Sequence, residues 1–222
     1  MISMKRKMIT LGVLVAIATG AQASVTINET FFPDAAFRQY VARSYDKNSD
    51  GRLSYDEIQA VTDITVTNMG IKTLQGVNYF TALKGLYCIQ NQLTELELSL
   101  ENLLQLQCNN NRLEKLDVSK CKNLLTMRCN ANFLTTLDVS ANTELNHLYC
   151  QTNSLSSLDL SALTKLNRLN MGRNNFDAMA CVQIAKDLPE YEGASLMFLY
   201  EEQENNQGTR ILLVKFRTVL SS

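Results

Sequence analysis

Leu83-Lys84-Gly85-Leu86-Tyr87-Cys88-Ile89-Gln90-Asn91-Gln92-Leu93 decides the fold, because its pattern L-x-x-L-x-C-x-x-N-x-L returns from Leu103, Leu124, Leu145 and Leu166. The step is 20 residues once and 21 three times, with Met127 in one Leu place and Met171 and Phe176 closing the last copy. A fixed period of this size means that each repeat is one turn of a solenoid. No turn can bury its own apolar face, so the turns must stack.

Each repeat also has a second half: Leu96-Glu97-Leu98-Ser99, Leu116-Asp117-Val118-Ser119, Leu137-Asp138-Val139-Ser140 and Leu158-Asp159-Leu160-Ser161. Two short L-x-L segments per turn are therefore predicted to be strands. Period-2 alternation sends their Leu, Val and Cys side chains inward. A third column, Leu100, Cys121, Asn142 and Leu163, marks the return corner.

Working outward, residues 63–82 read as a degenerate first turn, with Ile64-Thr65-Val66 in the strand place and Leu74 and Val77 pointing in. An atypical terminal repeat is what a capped stack needs. Residues 24–62 form a separate module. Pro33-Asp34 starts a helix carrying Phe37, Tyr40, Val41 and Tyr45 at helical spacing. Beyond the array, Met179, Val182, Ala185 and Leu188 suit one helix face, Ala194 to Tyr200 reads as a strand, and 177–222 is a C-terminal cap and tail. At the other end Lys5-Arg6-Lys7, an apolar run from Met8 to Gly20 and Ala21-Gln22-Ala23 make residues 1–23 a secretory signal peptide. The run is too short to span a bilayer comfortably. The expected location is secreted, periplasmic or cell surface, with no membrane span.

The 83–176 array resembles bacterial leucine-rich repeats of the 21-residue nested class, known as the IRREKO type. The entry stretch Gly70 to Phe80 resembles the first turn of secreted bacterial proteins of this kind. The resemblance implies a recognition protein at the surface or outside the cell, and no particular ligand. The expected fold class is thus an α/β-type leucine-rich-repeat solenoid of stacked parallel strands, mostly β and turns, with a small α-helical N-terminal cap.

Charge is balanced, 21 Lys+Arg against 22 Asp+Glu, which argues against a nucleic-acid partner. Six cysteines in an exported chain would ordinarily mean disulfides. Here Cys88, Cys108, Cys129 and Cys150 share one place in successive repeats, and Met171 takes it in the fifth. A slot that accepts Cys or Met is a small, soft core position. Neighbouring strands lie within disulfide range, but parallel side-chain vectors fit the disulfide dihedral poorly, so buried free thiols are expected. Zinc would need converging ligands, which a ladder does not offer.

One motif carries metal chemistry. A calcium loop takes oxygens at positions 1, 3, 5, 7, 9 and 12, with Gly at 6. The chain supplies Asp46, Asn48, Asp50, the Arg52 carbonyl, Ser54 and Glu57, with Gly51 at the turn and Leu53 at the apolar eighth place. One Ca²⁺ site of modest affinity is expected, on the order of 10⁻⁵ to 10⁻³ M as in extracellular modules. A lone loop acts more as a structural clip at the junction with the first turn than as a sensor.

The Asn column, Asn91, Asn111, Asn132, Asn153 and Asn174, is expected to satisfy corner backbone groups. The acidic column, Glu97, Asp117, Asp138 and Asp159, is expected to bond nearby turn amides. Exposed strand positions form three further columns: Gly85, Gln105, Thr126, His147, Arg168; then Tyr87, Gln107, Arg128, Tyr149, Asn170; then Ile89, Asn109, Asn130, Gln151, Gly172. Tyrosine, arginine and amides recur at recognition sites. The predicted ligand-binding residues are Tyr87, Gln107, Arg128, His147, Tyr149 and Arg168, for a protein partner or, alternatively, a glycan or envelope scaffold. Catalysis is not expected: the chain has one His, and His147 and Cys150 point to opposite faces of a strand.

Overall fold

The computed structural model describes residues 24–188 and the backbone of 197–198. The signal-peptide residues 1–23 and the tail from 199 lie outside the described residues, and of the strand predicted at Ala194–Tyr200 only Met197–Phe198 lies within them.

The N-terminal module holds β1 (Val25–Thr26), α1 (Ala35–Tyr45), β2 (Arg52–Leu53) and α2 (Tyr55–Gln59). Helix α1 begins where the sequence places it. Asp34 is its N-cap, and its Oδ1 accepts from the amides of Ala36 and Phe37, both at 3.0 Å. Such a cap satisfies donors that the first helical turn leaves open. The helix buries Phe37 and Val41, and Phe37 meets the ring of Phe32 edge-on. Gly76 sits under that cluster with φ 102°. A Cβ there would lie 2.5 Å from the Phe32 ring and 2.6 Å from the Phe31 carbonyl, so only glycine lets the cap seat on the first turn.

The rest of the chain is a solenoid. Strands β3 (Asp63–Thr65), β4 (Gly85–Tyr87), β6 (Gln105–Gln107), β8 (Thr126–Arg128), β9 (His147–Tyr149), β10 (Arg168–Asn170) and β11 (Met197–Phe198) form one parallel seven-stranded sheet in that order. Between them β5 (Glu95–Glu97) pairs with β7 (Lys115–Asp117) on the opposite side of the turn. Only these two of the four predicted second-half segments become strands. The later two keep the inward alternation, since Leu137, Val139, Leu158 and Leu160 are buried, without a ladder of their own.

The core is continuous from Phe32 to Leu188. Leu83, Leu86, Leu103, Leu106, Leu145 and Leu148 have no accessible surface. Burying one Leu contributes ~1.5–3 kcal/mol, so several per turn can offset the entropy of ordering it. Cys88, Cys108, Cys129 and Cys150 are buried free thiols in one column, as expected. Burial pushes the thiol pKa of Cys88 and of Cys129 up to about 12.

The Asn column does the work predicted for it. Asn132 Oδ1 accepts the Leu113 amide of the preceding turn at 2.9 Å, and its Nδ2 donates to the Cys108 and Cys129 carbonyls at 3.1 and 2.9 Å. Asn111, Asn153 and Asn174 repeat the arrangement. The residue before each Asn is left-handed: Gln90, Asn110, Ala131, Thr152 and Arg173 have φ between 53° and 58°. In the acidic column Asp117, Asp138 and Asp159 accept the amides of Ser119, Ser140 and Ser161, each at 2.9 Å, as expected, whereas at Glu97 the corresponding Ser99 amide goes to Asn78 Oδ1 instead, at 2.9 Å. At the return corner the fully buried Asn142 donates to the Val118 and Cys121 carbonyls.

Helix α3 (Ala178–Asp187) closes the described part of the stack, but not on the predicted face. Cys181, Ile184 and Leu188 are buried, whereas Met179 is 77% and Val182 51% exposed. Apolar residues occupy both sides of this helix, which Asp177 caps by accepting the Ala180 amide, and the side carrying Cys181 and Ile184 is the one that packs inward.

Candidate recognition face and calcium loop

The strand register brings the predicted ligand residues onto one surface. Gly85, Gln105, Thr126, His147 and Arg168 are successive register partners, and so are Tyr87, Gln107, Arg128, Tyr149 and Asn170. Side chains two apart on a strand share a face, so Tyr87, Gln107, Arg128, His147, Tyr149 and Arg168 all project from the sheet opposite the buried Leu–Cys side. Strand β3 extends both columns by Asp63 and Thr65, which pair with Gly85 and Tyr87. The face columns legible in the sequence begin at Gly85. The alternation of the degenerate strand around Ile64 was the available signal for the two extra residues.

The two ends of the face differ in chemistry. At the N-terminal end Tyr87 lies down over Gly85, and its Oη donates to Gln105 Oε1 at 3.0 Å. A Cβ on Gly85 would collide with Asp63 Oδ1 and come within 2.7 Å of the Tyr87 ring, so the missing side chain is what lets the tyrosine fold flat. At the other end the Arg128 guanidinium stacks over Tyr149, 4.4 Å from the ring centroid. A guanidinium so placed is attracted by the ring's quadrupole, and its own motion is restricted. His147 Nδ1 lies 3.5 Å from Thr126 Oγ1. Burial, then the positive charges of Arg168 and Arg128, hold its imidazole below the usual histidine range.

The predicted calcium loop is built around its own oxygens. Asp46 accepts the Asp50 amide on Oδ1 (3.1 Å) and the Gly51 amide on Oδ2 (2.9 Å). Asn48 Oδ1 also accepts from Asp50, and Asp50 Oδ1 accepts the Arg52 amide at 2.8 Å. Ser49 and Gly51 take left-handed φ values of 58° and 76° to make the turn. Glu57 reaches back over the loop: Oε1 accepts the Lys47 amide at 2.7 Å, and Oε2 accepts both the amide and the hydroxyl of Ser54 at 2.8 Å. The Ser54 amide leads the groups that hold its carboxyl below the usual glutamate range. Among the described residues no three His, Cys, Asp or Glu side chains converge as a metal-binding group. The loop's other candidate donors are the Asn48 amide, the Ser54 hydroxyl and the Arg52 carbonyl.

Sequence reasoning missed the loop's attachments. Strand β2, at the loop exit, pairs antiparallel with β1, Val25 opposite Leu53, and Ile27 donates to the Gly51 carbonyl at 2.9 Å. The chain thus supplies from its own N-terminal stretch the strand that braces the loop. On the entry side Tyr45, the residue before Asp46, donates to the Asp63 carbonyl of β3 at 3.2 Å, and the Tyr40 hydroxyl accepts the Thr65 amide at 3.4 Å. The loop is therefore tied to β3, the first strand of the candidate face.

Structural comparison bears on the fold. An internalin C2 of Listeria monocytogenes superposes with TM-score 0.51 at 20% identity, over 80% of this chain and 97% of that one. A leucine-rich-repeat protein of Leptospira interrogans superposes with TM-score 0.53 at 23% identity, over 61% of this chain and 37% of that one. The fold is a leucine-rich-repeat solenoid. The functional domain of InlJ from Listeria monocytogenes also matches, at 19% identity and TM-score 0.34, over 75% of this chain. The chain spans 56% of that domain's length. No protein-family model and no curated protein sequence matches this leucine-rich-repeat chain. Among its described residues no helix is long and apolar enough to cross a membrane.

Proposed function

We propose that this leucine-rich-repeat chain is a non-catalytic recognition module, exported to the cell surface or beyond, that binds a protein partner through the exposed face of its parallel sheet. One observation carries the reading: the unslipped register delivers Tyr87, Gln107, Arg128 and Tyr149 to four adjacent strands on one face. Aromatic and arginine side chains presented from a rigid scaffold lose little conformational entropy on binding. A nested repeat class fits the alternating Leu and Cys columns, and the leader accords with an address outside the cytoplasm.

Calcium belongs to the same reading. Asp46, Asn48, Asp50, the Arg52 carbonyl, Ser54 and Glu57 would hold one Ca²⁺, Glu57 exchanging its bonds to Lys47 and Ser54 for the metal. The ion would clip β1, β2 and α1 into one unit against β3 and so steady the face. It supplies charge and coordination, not chemistry.

Capture from envelope and extracellular material tests the main claim. The purified protein, in calcium, should retain a specific protein that a folded Tyr87→Ala/Tyr149→Ala variant loses. Equal capture by both would discard this face. Retention of a polysaccharide instead would favour the second reading, a glycan-binding or envelope scaffold protein, which the amides Gln105, Gln107, Asn109 and Gln151 on the same face support.

A further inference from the structure

The charges of the recognition face are not evenly spread. Asp63 stands at the β3 edge, and Arg128 and Arg168 stand on β8 and β10, roughly 24 Å from Asp63 to Arg168 across five steps of the sheet. Both arginines are exposed. Among the described residues the ion pairs are Arg38 with Glu29 and Lys165 with Glu144, so neither arginine of the face has a carboxylate partner there. Arg128 is nonetheless held in place, over the ring of Tyr149. Between the two arginines lies His147, and their like charge reaches it from both sides. Two forks of N–H donors thus stand two strands apart on this sheet face, on either side of His147, with no carboxylate partner among the described residues.

Resting on the reading of this face as a recognition surface, we propose that its C-terminal end docks a short acidic segment of a protein partner, carboxylates engaging Arg128 and Arg168 beside Tyr149. A guanidinium donates bidentately to a carboxylate, and charge-assisted pairs of this kind are the stronger class of hydrogen bond. The nearby amides of Gln107 and Asn170 match the N–H and C=O groups of an extended peptide. A polyanion such as a sulfated glycan fits less well. It needs a stripe of cations, whereas this face offers two among the described residues, and the whole chain carries a formal charge of −1 that gives no long-range attraction. At the opposite end Asp63 would repel a continuous anionic polymer but accept a donor of the same segment.

The chain contains one histidine, so the ring protons of His147 report on this site without assignment ambiguity. The purified protein would be titrated at neutral pH with hexaglutamate, hexaglutamine and a heparin hexasaccharide, following those resonances by NMR. Hexaglutamate should give a saturable shift and hexaglutamine none. In Arg128→Gln/Arg168→Gln, whose altered side chains are exposed and leave the fold intact, the apparent affinity should fall about tenfold or more. No shift with hexaglutamate, or the same affinity in the double variant, would overturn the proposal. Tighter Arg-dependent binding of the heparin fragment would overturn it in favour of a glycan. Tyrosine-dependent capture of a partner with a failed hexaglutamate titration would remove this inference alone. Capture indifferent to Tyr87 and Tyr149 would remove the recognition face itself.

Discussion

Replacing Asn132 by alanine should be among the most damaging single changes in the solenoid. Its side chain is only 5% exposed and serves three backbone groups at once: the Leu113 amide and the carbonyls of Cys108 and Cys129. Among the described residues the Leu113 amide has no other partner, so alanine strands a buried donor and weakens two buried acceptors. An unsatisfied buried group costs ~1–3 kcal/mol. With some recovery by water entering the vacated space, the expected loss is ~3–5 kcal/mol. Asn123→Ala is the control, since it removes one exposed bond, Nδ2 to the Glu101 carbonyl at 2.9 Å, and should cost less than ~1 kcal/mol. Urea unfolding followed by far-UV circular dichroism and by tyrosine fluorescence gives both values; the chain has no Trp. Coincidence of the two probes checks that the stack unfolds as one unit, which a repeat array need not do. Asn132→Asp, which keeps the acceptor but loses both donors, should be no better than alanine. A loss below ~1 kcal/mol for Asn132→Ala, on the scale of an ordinary surface change, would refute the claim that the ladder joins the turns.

The left-handed column offers a gain in stability. Thr152 is β-branched at φ 58°, and Thr152→Asn should stabilise by ~0.5–1 kcal/mol, read as a higher urea midpoint, because asparagine tolerates this conformation far better. Calcium at about 100 times its Kd should raise stability by ~2.7 kcal/mol relative to EDTA, and thermal melts of Glu57→Gln should show most of that gain gone. The ladder thiols should resist iodoacetamide in the folded protein at pH 8 and react once urea unfolds it. Their folded pKa lies above the ordinary 9.0, at about 12 for Cys88 and Cys129. Stability from keeping them neutral is therefore complete below pH 9 and declines as pH rises from 9 toward 12, which urea midpoints across that range would show.

The solenoid was legible because its periodic signals are repeated and consistent with one another. Leu, Cys and Asn each hold a fixed place, so an error in one turn is corrected by the next, and the face columns follow from the period of a strand. Elements that occur once had no such support. Helix α3 carries apolar residues on both sides, and spacing alone could not choose Cys181–Ile184–Leu188 over Met179–Val182. Strand β1 is two residues long and exists because β2 needs a partner, a relation between segments that neither sequence displays. The left-handed column was invisible for a related reason: Gln90, Ala131, Thr152 and Arg173 are not residues that announce this conformation, and the ladder bonds impose it on them. In the sequence Gly85 is one more face position; in the fold its missing side chain is what allows Tyr87 to lie flat.

The central claim is spatial: a partner meets the sheet face and not the opposite side of the turn. Photo-crosslinking tests it directly. A benzophenone amino acid would replace Tyr149 on the face in one variant and exposed Thr136 in the second half of a turn in another, each irradiated with envelope and extracellular material in calcium. The account predicts one discrete protein adduct from position 149 and none from 136. An adduct from 136 with silence at 149 would contradict it.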